Sequence, residues 1–304
     1  MADQGHIETE KVLADIEREI YKEYSQAEKE LADKIEDYFA RFEKKKAIKL
    51  KALSEGKISQ EEYDKWLIGQ LAMGDRWKEM KETIAHDLGH ASEMAMAISA
   101  GHMPEVYAIN HDYGTFQVEK TSLVDTSYTL YDRNTAKRLF EDEHQFYHDH
   151  GWKVGKHINE GKLIPWEKKQ AQSVMTQALL QGESIGKIAT RLQNAFGNSI
   201  LEEDIKNRGK MTAEQIAKEL ARRNRNASIR NARTMTTGVQ NAGRVDSYKR
   251  ADGMGIKLKQ EWLATLDGRT RHEHRLLDGQ RVAVGDKFVV DGYELEYPGD
   301  PRGE

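Results

Sequence analysis

Several groupings of side chains in this chain have types and spacings that could do chemistry. Glu294 and Glu296 form an E-x-E on a segment with strand-like character, and alternate residues of a strand point to one face. Two such carboxylates, with an arginine upstream, could hold the ribose of a nicotinamide cofactor and activate an acceptor. No Ser-Thr-Ser strand precedes them, and the competing reading is an edge strand whose outward glutamates block further pairing. His86 and His90 stand at i, i+4 with Asp87 between them and Glu93 beyond, a faint echo of a zinc-protease helix with Asp in place of its Glu base. His90 falls near the apolar positions Ile84, Leu88, Ala91 and Met94, so a helix-packing role is expected. His144, His148 and His150 lie with Glu143 and Asp149 in a polar stretch that reads as a solvated run. His272 and His274 at i, i+2, with Asp267, are a weak metal signal. No metal site and no cofactor are expected.

Two further groupings are basic. Asp267, Gly268, Arg269, Thr270 and Arg271 read as a turn held by polar staples, in which arginine could clamp a carboxylate such as Asp278. The functional alternative is an anion site formed with His274. On the helix expected from Thr212 onward, Arg222, Arg223, Arg230, Arg233 and Arg244 fall within roughly 100° of arc at the helical period. They could grip phosphates or carboxylates bidentately, or lie solvated in ion pairs with glutamate.

The elements that must position these residues are mostly helical. Leu13, Ile16, Ile20, Tyr24, Ala27, Leu31, Ile35, Tyr38 and Phe42 repeat with an eleven-residue period. That period gives ~3.67 residues per turn and a nearly straight stripe on one helix over about 7–53. The stripe must cover a neighbouring helix or a partner, and docking through it is the expectation. Ser59 with Glu62 predicts a capping box and a short helix to about Met73. A third helix is expected from about Asp75 to Ala100, ending at Gly101. Residues 104–165 read as a mixed connector, and two helices follow at about 166–181 and 184–195. Thr212 with Gln215 is a second capping box, opening a helix to about Ala251 with an apolar face at Ile216, Leu220, Ala232, Met235, Val239, Ala242 and Val245. The end of the chain is β-prone, with Gly-Asp and Asp-Gly turn signals of a small antiparallel meander.

Composition narrows the classes. Charged residues make up 32% of 304, more than the roughly 25% of an average domain, and suit long solvated helices. The formal charge of −4 excludes a generally basic nucleic-acid binder, so any DNA contact must be local. There is no cysteine, hence no disulfide framework and no thiolate chemistry. No stretch is apolar enough to span a membrane, and the N-terminus lacks the apolar core of a signal peptide.

The C-terminal motifs resemble the phage head morphogenesis, or minor head protein, family (Mu F-like, SPP1-type). The likeness is carried by Asp267, Arg269, Thr270, Arg271 and His274 in D-x-R-T-R-x-x-H, and by Leu277, Asp278 and Gly279. Y-P-G-D-P from Tyr297 through Pro298 and Asp300 to Pro301 adds to it, as does the order of Arg233, Thr234 and Trp262. The resemblance implies a structural minor head protein of a tailed bacteriophage, held in the virion near the portal vertex. Its implied partners are the portal protein, the major capsid or scaffolding protein, and double-stranded DNA during packaging or ejection. The expected fold is α+β, predominantly helical and elongated, with the small C-terminal meander. Its expected parts are an N-terminal helical region (1–103), the connector (104–165) and the head-morphogenesis domain (166–304). The alternative is an ADP-ribosyltransferase-like effector enzyme resting on Glu294 and Glu296, and the reading preferred on the residues is not an enzyme.

Overall fold

The computed structural model describes residues 3–68, 75–125, 212–268 and 270–300. The connector, the histidines at 144, 148 and 150, the helices expected between 166 and 195, and Arg269 all lie outside the described residues.

Helix α1 runs Gln4–Ser54, α2 Gln60–Ile68, α3 Asp75–Ser122 and α4 Ala213–Gly253. Both predicted capping boxes form. Ser59 N–H donates to Glu62 Oε2 at 2.8 Å, and Glu62 N–H donates back to Ser59 Oγ at 3.1 Å. Thr212 and Gln215 make the same exchange at 2.9 and 3.2 Å. The third helix does not stop at Gly101 but continues to Ser122 with Pro104 inside it. Met103, Val106, Tyr107, Ala108 and Val118 beyond the proline are buried, so packing overrides the local breakers.

The chain divides into two compact units. One contains residues 21–94 and 155–227. Its described core joins Tyr24, Leu31, Ile35 and Phe42 of α1 to Tyr63 and Leu67 of α2, Ile84 and Leu88 of α3, and Ile216 and Leu220 of α4. Phe42 stacks on Trp66 with ring centroids 5.9 Å apart. Within this unit Asp87, whose side chain is 6% exposed, accepts hydrogen bonds from Lys34 Nζ at 2.7 and 2.8 Å, and His86 Nδ1 lies 3.3 Å from its Oδ1.

The other unit contains residues 1–20, 95–154 and 228–304. In it the starts of α1 and the ends of α3 and α4 pack around Ile16, Ile20, Val106, Met235, Val239 and Val245. All nine positions of the α1 stripe and all seven predicted apolar positions of α4 are buried. This corrects the docking expectation. The stripe from Leu13 to Phe42 and the face around Met235 are consumed by the chain's own core and offer nothing to a partner.

A polar network crosses that core. Arg244 Nη1 and Nη2 donate to the two carboxylate oxygens of Asp3 at 2.7 and 2.8 Å, and its Nε donates to Asn110 Oδ1 at 3.1 Å. Asn110 Nδ2 donates to Thr9 Oγ1 at 2.7 Å, and Thr9 Oγ1 to the Gly5 carbonyl at 2.8 Å. Burial opposes ionisation of Asp3, but the Arg244 hydrogen bonds, the His6 N–H and both charges hold its carboxyl below the usual range.

After α4 come β1 (Lys259–Glu261), α5 (His272–Leu277), β2 (Arg281–Ala283), β3 (Phe288–Val290) and β4 (Tyr293–Leu295). The β part is antiparallel, but as two ribbons, β1 with β2 and β3 with β4, rather than one continuous meander. The Asp-Gly signal does make a hairpin. Asp291 and Gly292 have φ of 48° and 84°, the two left-handed residues of a tight turn that closes Val290 on Tyr293. The Gly-Asp signal does not join β2 to β3. Gly285 at φ 95° and the Asp286 N–H bond to the Ala283 carbonyl turn the chain away instead.

Candidate functional site

The C-terminal module gathers the family-motif residues from Trp262 to Asp300, and most of those described have a definite physical task. Trp262 is 1% exposed and packs with Leu277, Phe288 and Val290 in a core of its own. Its ring meets Phe288 edge-on at 5.2 Å and lies 5.6 Å from the His274 imidazole.

The L-D-G run closes α5 against the Trp262 segment. Leu277 is buried, and Asp278 Oδ1 accepts the Ala264 N–H at 2.8 Å. Gly279, at φ 77°, turns its N–H onto the Trp262 carbonyl at 2.8 Å, while the Trp262 N–H donates to the Gln280 carbonyl at 2.9 Å. The Asp278 carboxylate is thus bonded to backbone, and among the described residues no arginine clamps it. Arg271 is exposed, and its extended backbone precedes α5 without a side-chain cap.

The Asp267 turn is held by Thr270. The Asp267 N–H donates to Thr270 Oγ1 at 3.0 Å, the Thr270 hydroxyl donates to the Thr265 carbonyl, and Arg275 Nη2 donates to the Asp267 carbonyl at 3.0 Å. Arg275 was not among the predicted site residues, and its spacing from Asp267 across α5 gave no local signal.

Tyr297 to Asp300 folds down on α4. Tyr297 and Asp300 are buried, and Asp300 Oδ2 accepts the Glu296 N–H at 2.9 Å. Asn241 Nδ2 donates to the Pro298 carbonyl at 2.9 Å. A Cβ on Gly299 would stand 3.0 Å from the backbone N and Cα of Gly238, so two glycines let a loop and a helix touch.

Glu294 and Glu296 are not poised as a pair. Glu296 lies past the end of β4 and accepts from Lys249 Nζ at 2.8 Å, whereas Glu294 is 3.7 Å from Lys287. The histidines of α3 are also apart from any site. His86 is 82% exposed at its side chain, and His90 is exposed rather than packed, which corrects the expected core role. The cause is that α3 turns Ile84, Leu88 and Ala91 inward, leaving position 90 outside. Among the described residues no three metal-ligating side chains come together.

The arginines on α4 are engaged separately. Arg222 and Arg223 both bond Glu219, at 3.0 and 2.8 Å. Arg233 Nε donates to Glu17 at 2.6 Å. Arg244 is 16% exposed at its side chain and belongs to the Asp3 network, so it is withdrawn from any outward grip. Arg230 is exposed. The sequence reading missed Arg225, whose guanidinium sits 4.2 Å over the Tyr21 ring.

Burial, and then the Arg271 charge, hold the His274 imidazole below its ordinary 6.5, outweighing the Glu273 charge that raises it. The folded module therefore prefers the neutral ring. Its contribution to stability is complete above about 6.5 and is lost as pH falls through the lower folded value. Thermal melts at neutral and mildly acidic pH should show module stability falling on acidification, and His274→Gln should flatten that dependence. An unchanged slope in the variant would refute the assignment.

Residues 169–301 match the family model of the Phage Mu protein F like proteins. The chain carries a Mu F-like domain. The Trp262 core and the Tyr297 to Asp300 turn lie within the matched residues. An NAD(+)–arginine ADP-ribosyltransferase EFV of Enterococcus faecalis is 37% identical to the chain over 71 residues, 23% of this chain and 15% of that relative. The match thus spans a small part of the relative's length. No solved structure matches the chain. Among the described residues no helix is long and apolar enough to cross a membrane.

Proposed function

We propose that this chain is a structural minor head protein of a tailed bacteriophage, bound at the portal vertex inside the head. It takes part in head assembly and in DNA packaging or ejection, and it makes and breaks no bonds. The observation that carries the reading is the Mu F-like match over 169–301, joined to the fate of the motif residues. Asp278 and Asp300 hold backbone N–H groups, and Glu296 holds Lys249. Carboxylates occupied in this way build a rigid module; a catalytic pair would be held open toward a cleft. Its partners are the portal protein and the major capsid or scaffolding protein, with double-stranded DNA passing nearby.

Arg230 and Arg233 are two exposed basic side chains of the domain's long helix, and in this reading they face an acidic portal surface. Co-expression with portal and scaffold proteins should co-purify the chain, and Arg230→Glu with Arg233→Glu should abolish its retention in purified heads. The Arg233 bond to Glu17 is an exposed pair worth about 0–1 kcal/mol, so the double variant should keep its fold. Full retention of the folded variant would sink the arginine assignment. Transfer of label from NAD to host proteins, lost on Glu296→Gln, would replace this reading with an enzymatic one.

A further inference from the structure

A marked charge asymmetry lies at the end of α1 and just beyond it. Residues 41–57 hold seven basic and two acidic side chains, although the whole chain is at −4. At the helical period Arg41, Lys44, Lys45, Lys49 and Lys51 share an arc of about 160° that holds no acidic residue between positions 41 and 51, although Asp37, one turn earlier, and Glu55, just past the helix, fall on the same side. Glu43 points to the other side. Arg41, Lys44, Lys45 and Lys51 are exposed and Lys49 is half-buried. Lys44 and Lys45 make no ion pair among the described residues, Arg41 gives only its Nε to the Asp37 carbonyl, and Lys51 meets Glu55 at 3.9 Å. Lys46, by contrast, turns inward and is buried near the Phe42 ring.

We propose that this lysine-rich face of α1 binds the phosphate backbone of duplex DNA without reading sequence. Three features select that partner. The arc spans about 15 Å of helix, along which a duplex presents about nine charges, so all five cations can meet phosphate. Four of the five are lysines, whose ammonium groups on flexible stems bind phosphate as point charges without the fixed geometry that base readout needs, which suits contact with a backbone whatever its sequence. A membrane surface would need an apolar face to bury, and the side of α1 that carries Tyr38 and Phe42 is already buried in the unit. Ile48, 68% exposed, is the one large apolar residue within the arc. Unlike Arg222, Arg223, Arg233 and Arg244 on α4, Lys44 and Lys45 have no ion-pair partner among the described residues, while Lys49 acts on the Glu62 carboxylate.

The choice of DNA rests on the proposed head role, and the two can fail independently. DNA binding is measured on the purified full chain, while portal association is read from co-purification and from the arginine variant. The full-length protein should be titrated with a short fluorescent duplex of random sequence over a range of salt. Each neutralised phosphate contributes about −0.9 to the slope of log affinity against log salt, so five contacts give about −4.5. Arg41→Gln, Lys44→Gln and Lys45→Gln together should leave about −1.8 and lower affinity at least about 100-fold at 0.1 M salt, with an unchanged circular dichroism spectrum. Arg230→Glu with Arg233→Glu should leave the slope as it was. A slope unaltered by the glutamine variant would overturn the proposal, and so would phosphatidylglycerol vesicles binding as tightly as the duplex.

Discussion

Gly243→Val should unfold the unit built from the ends of α3 and α4, costing about 3 kcal/mol or more. A Cβ at position 243 would stand 2.7 Å from the Tyr107 carbonyl oxygen and 3.2 Å from the His111 backbone nitrogen. Both are main-chain atoms in the middle of α3, so no side chain can swing aside. Relief requires the helices to part along Val106, Tyr107, Val239 and Ala242, which are all buried. Overpacking a core costs about 1–3 kcal/mol when side chains can adjust, and here they cannot. Helix propensity works the other way, favouring a non-glycine residue by up to about 1 kcal/mol, and is outweighed. Gly101, inside α3 with nothing within 4 Å of a built Cβ, provides the control. Gly101→Ala should raise stability by about 1 kcal/mol through propensity alone. Denaturant midpoints for the two variants should therefore move in opposite directions. Equal small shifts of the same sign would show that α3 and α4 are not in backbone contact at Gly243.

The contrast between these glycines shows where sequence reasoning reached its limit. Periodicity located α1 and α4 within a few residues, because their apolar stripes are long and regular, and the two capping boxes marked helix starts through local hydrogen bonds. It could not say what covers a stripe. Leu13 to Phe42 read equally as a docking surface or a core, and only the placement of α3 and α4 decides for the core. Gly101 and Pro104 read as a helix end because breakers act locally, whereas the burial of Met103 and Val106 that overrides them is tertiary. In the C-terminal module the motif residues could be named, but their partners could not. Asp278 reaches Ala264, Asp300 reaches Glu296 and Arg275 reaches the Asp267 carbonyl, bonds set by turns whose geometry no residue pattern specifies.

The same bonds bear on how such a domain serves an assembly. Polar motif residues that satisfy backbone N–H groups fix the module's shape without presenting charge outward. Apart from the exposed motif residue Arg271, the surface is left to residues outside the motif, such as Arg230 and the exposed Leu263, Leu266 and Leu276. A recognisable motif can then coexist with partner contacts that differ from chain to chain.

Trp262→Ala tests whether the module folds on this small core. The indole is enclosed by His274, Leu277, Phe288 and Val290, and its own backbone N–H and carbonyl are both paired, so truncation empties the centre while leaving the ladder intact. Removing a buried tryptophan costs about 3–5 kcal/mol. A module of about 40 residues has little stability of its own to lose. It should open as a unit, while α1, α3 and α4 keep cores to which Trp262 does not belong. Because α5 supplies six helical residues, the far-ultraviolet signal should fall only slightly. Trypsin should gain access to Lys259, Arg271, Arg275, Arg281 and Lys287, all of them exposed side chains on backbone that the folded module shields. Leu276→Ala, at a residue that is 49% exposed on the same short helix, should leave the cleavage pattern as in the parent. If Trp262→Ala instead melted the helical signal in one step with the module, the two would be a single cooperative body joined through Gly238 and Asn241. If the helices survive and the chain still enters phage heads, the docking surface must lie on them, and the module's role there would be excluded.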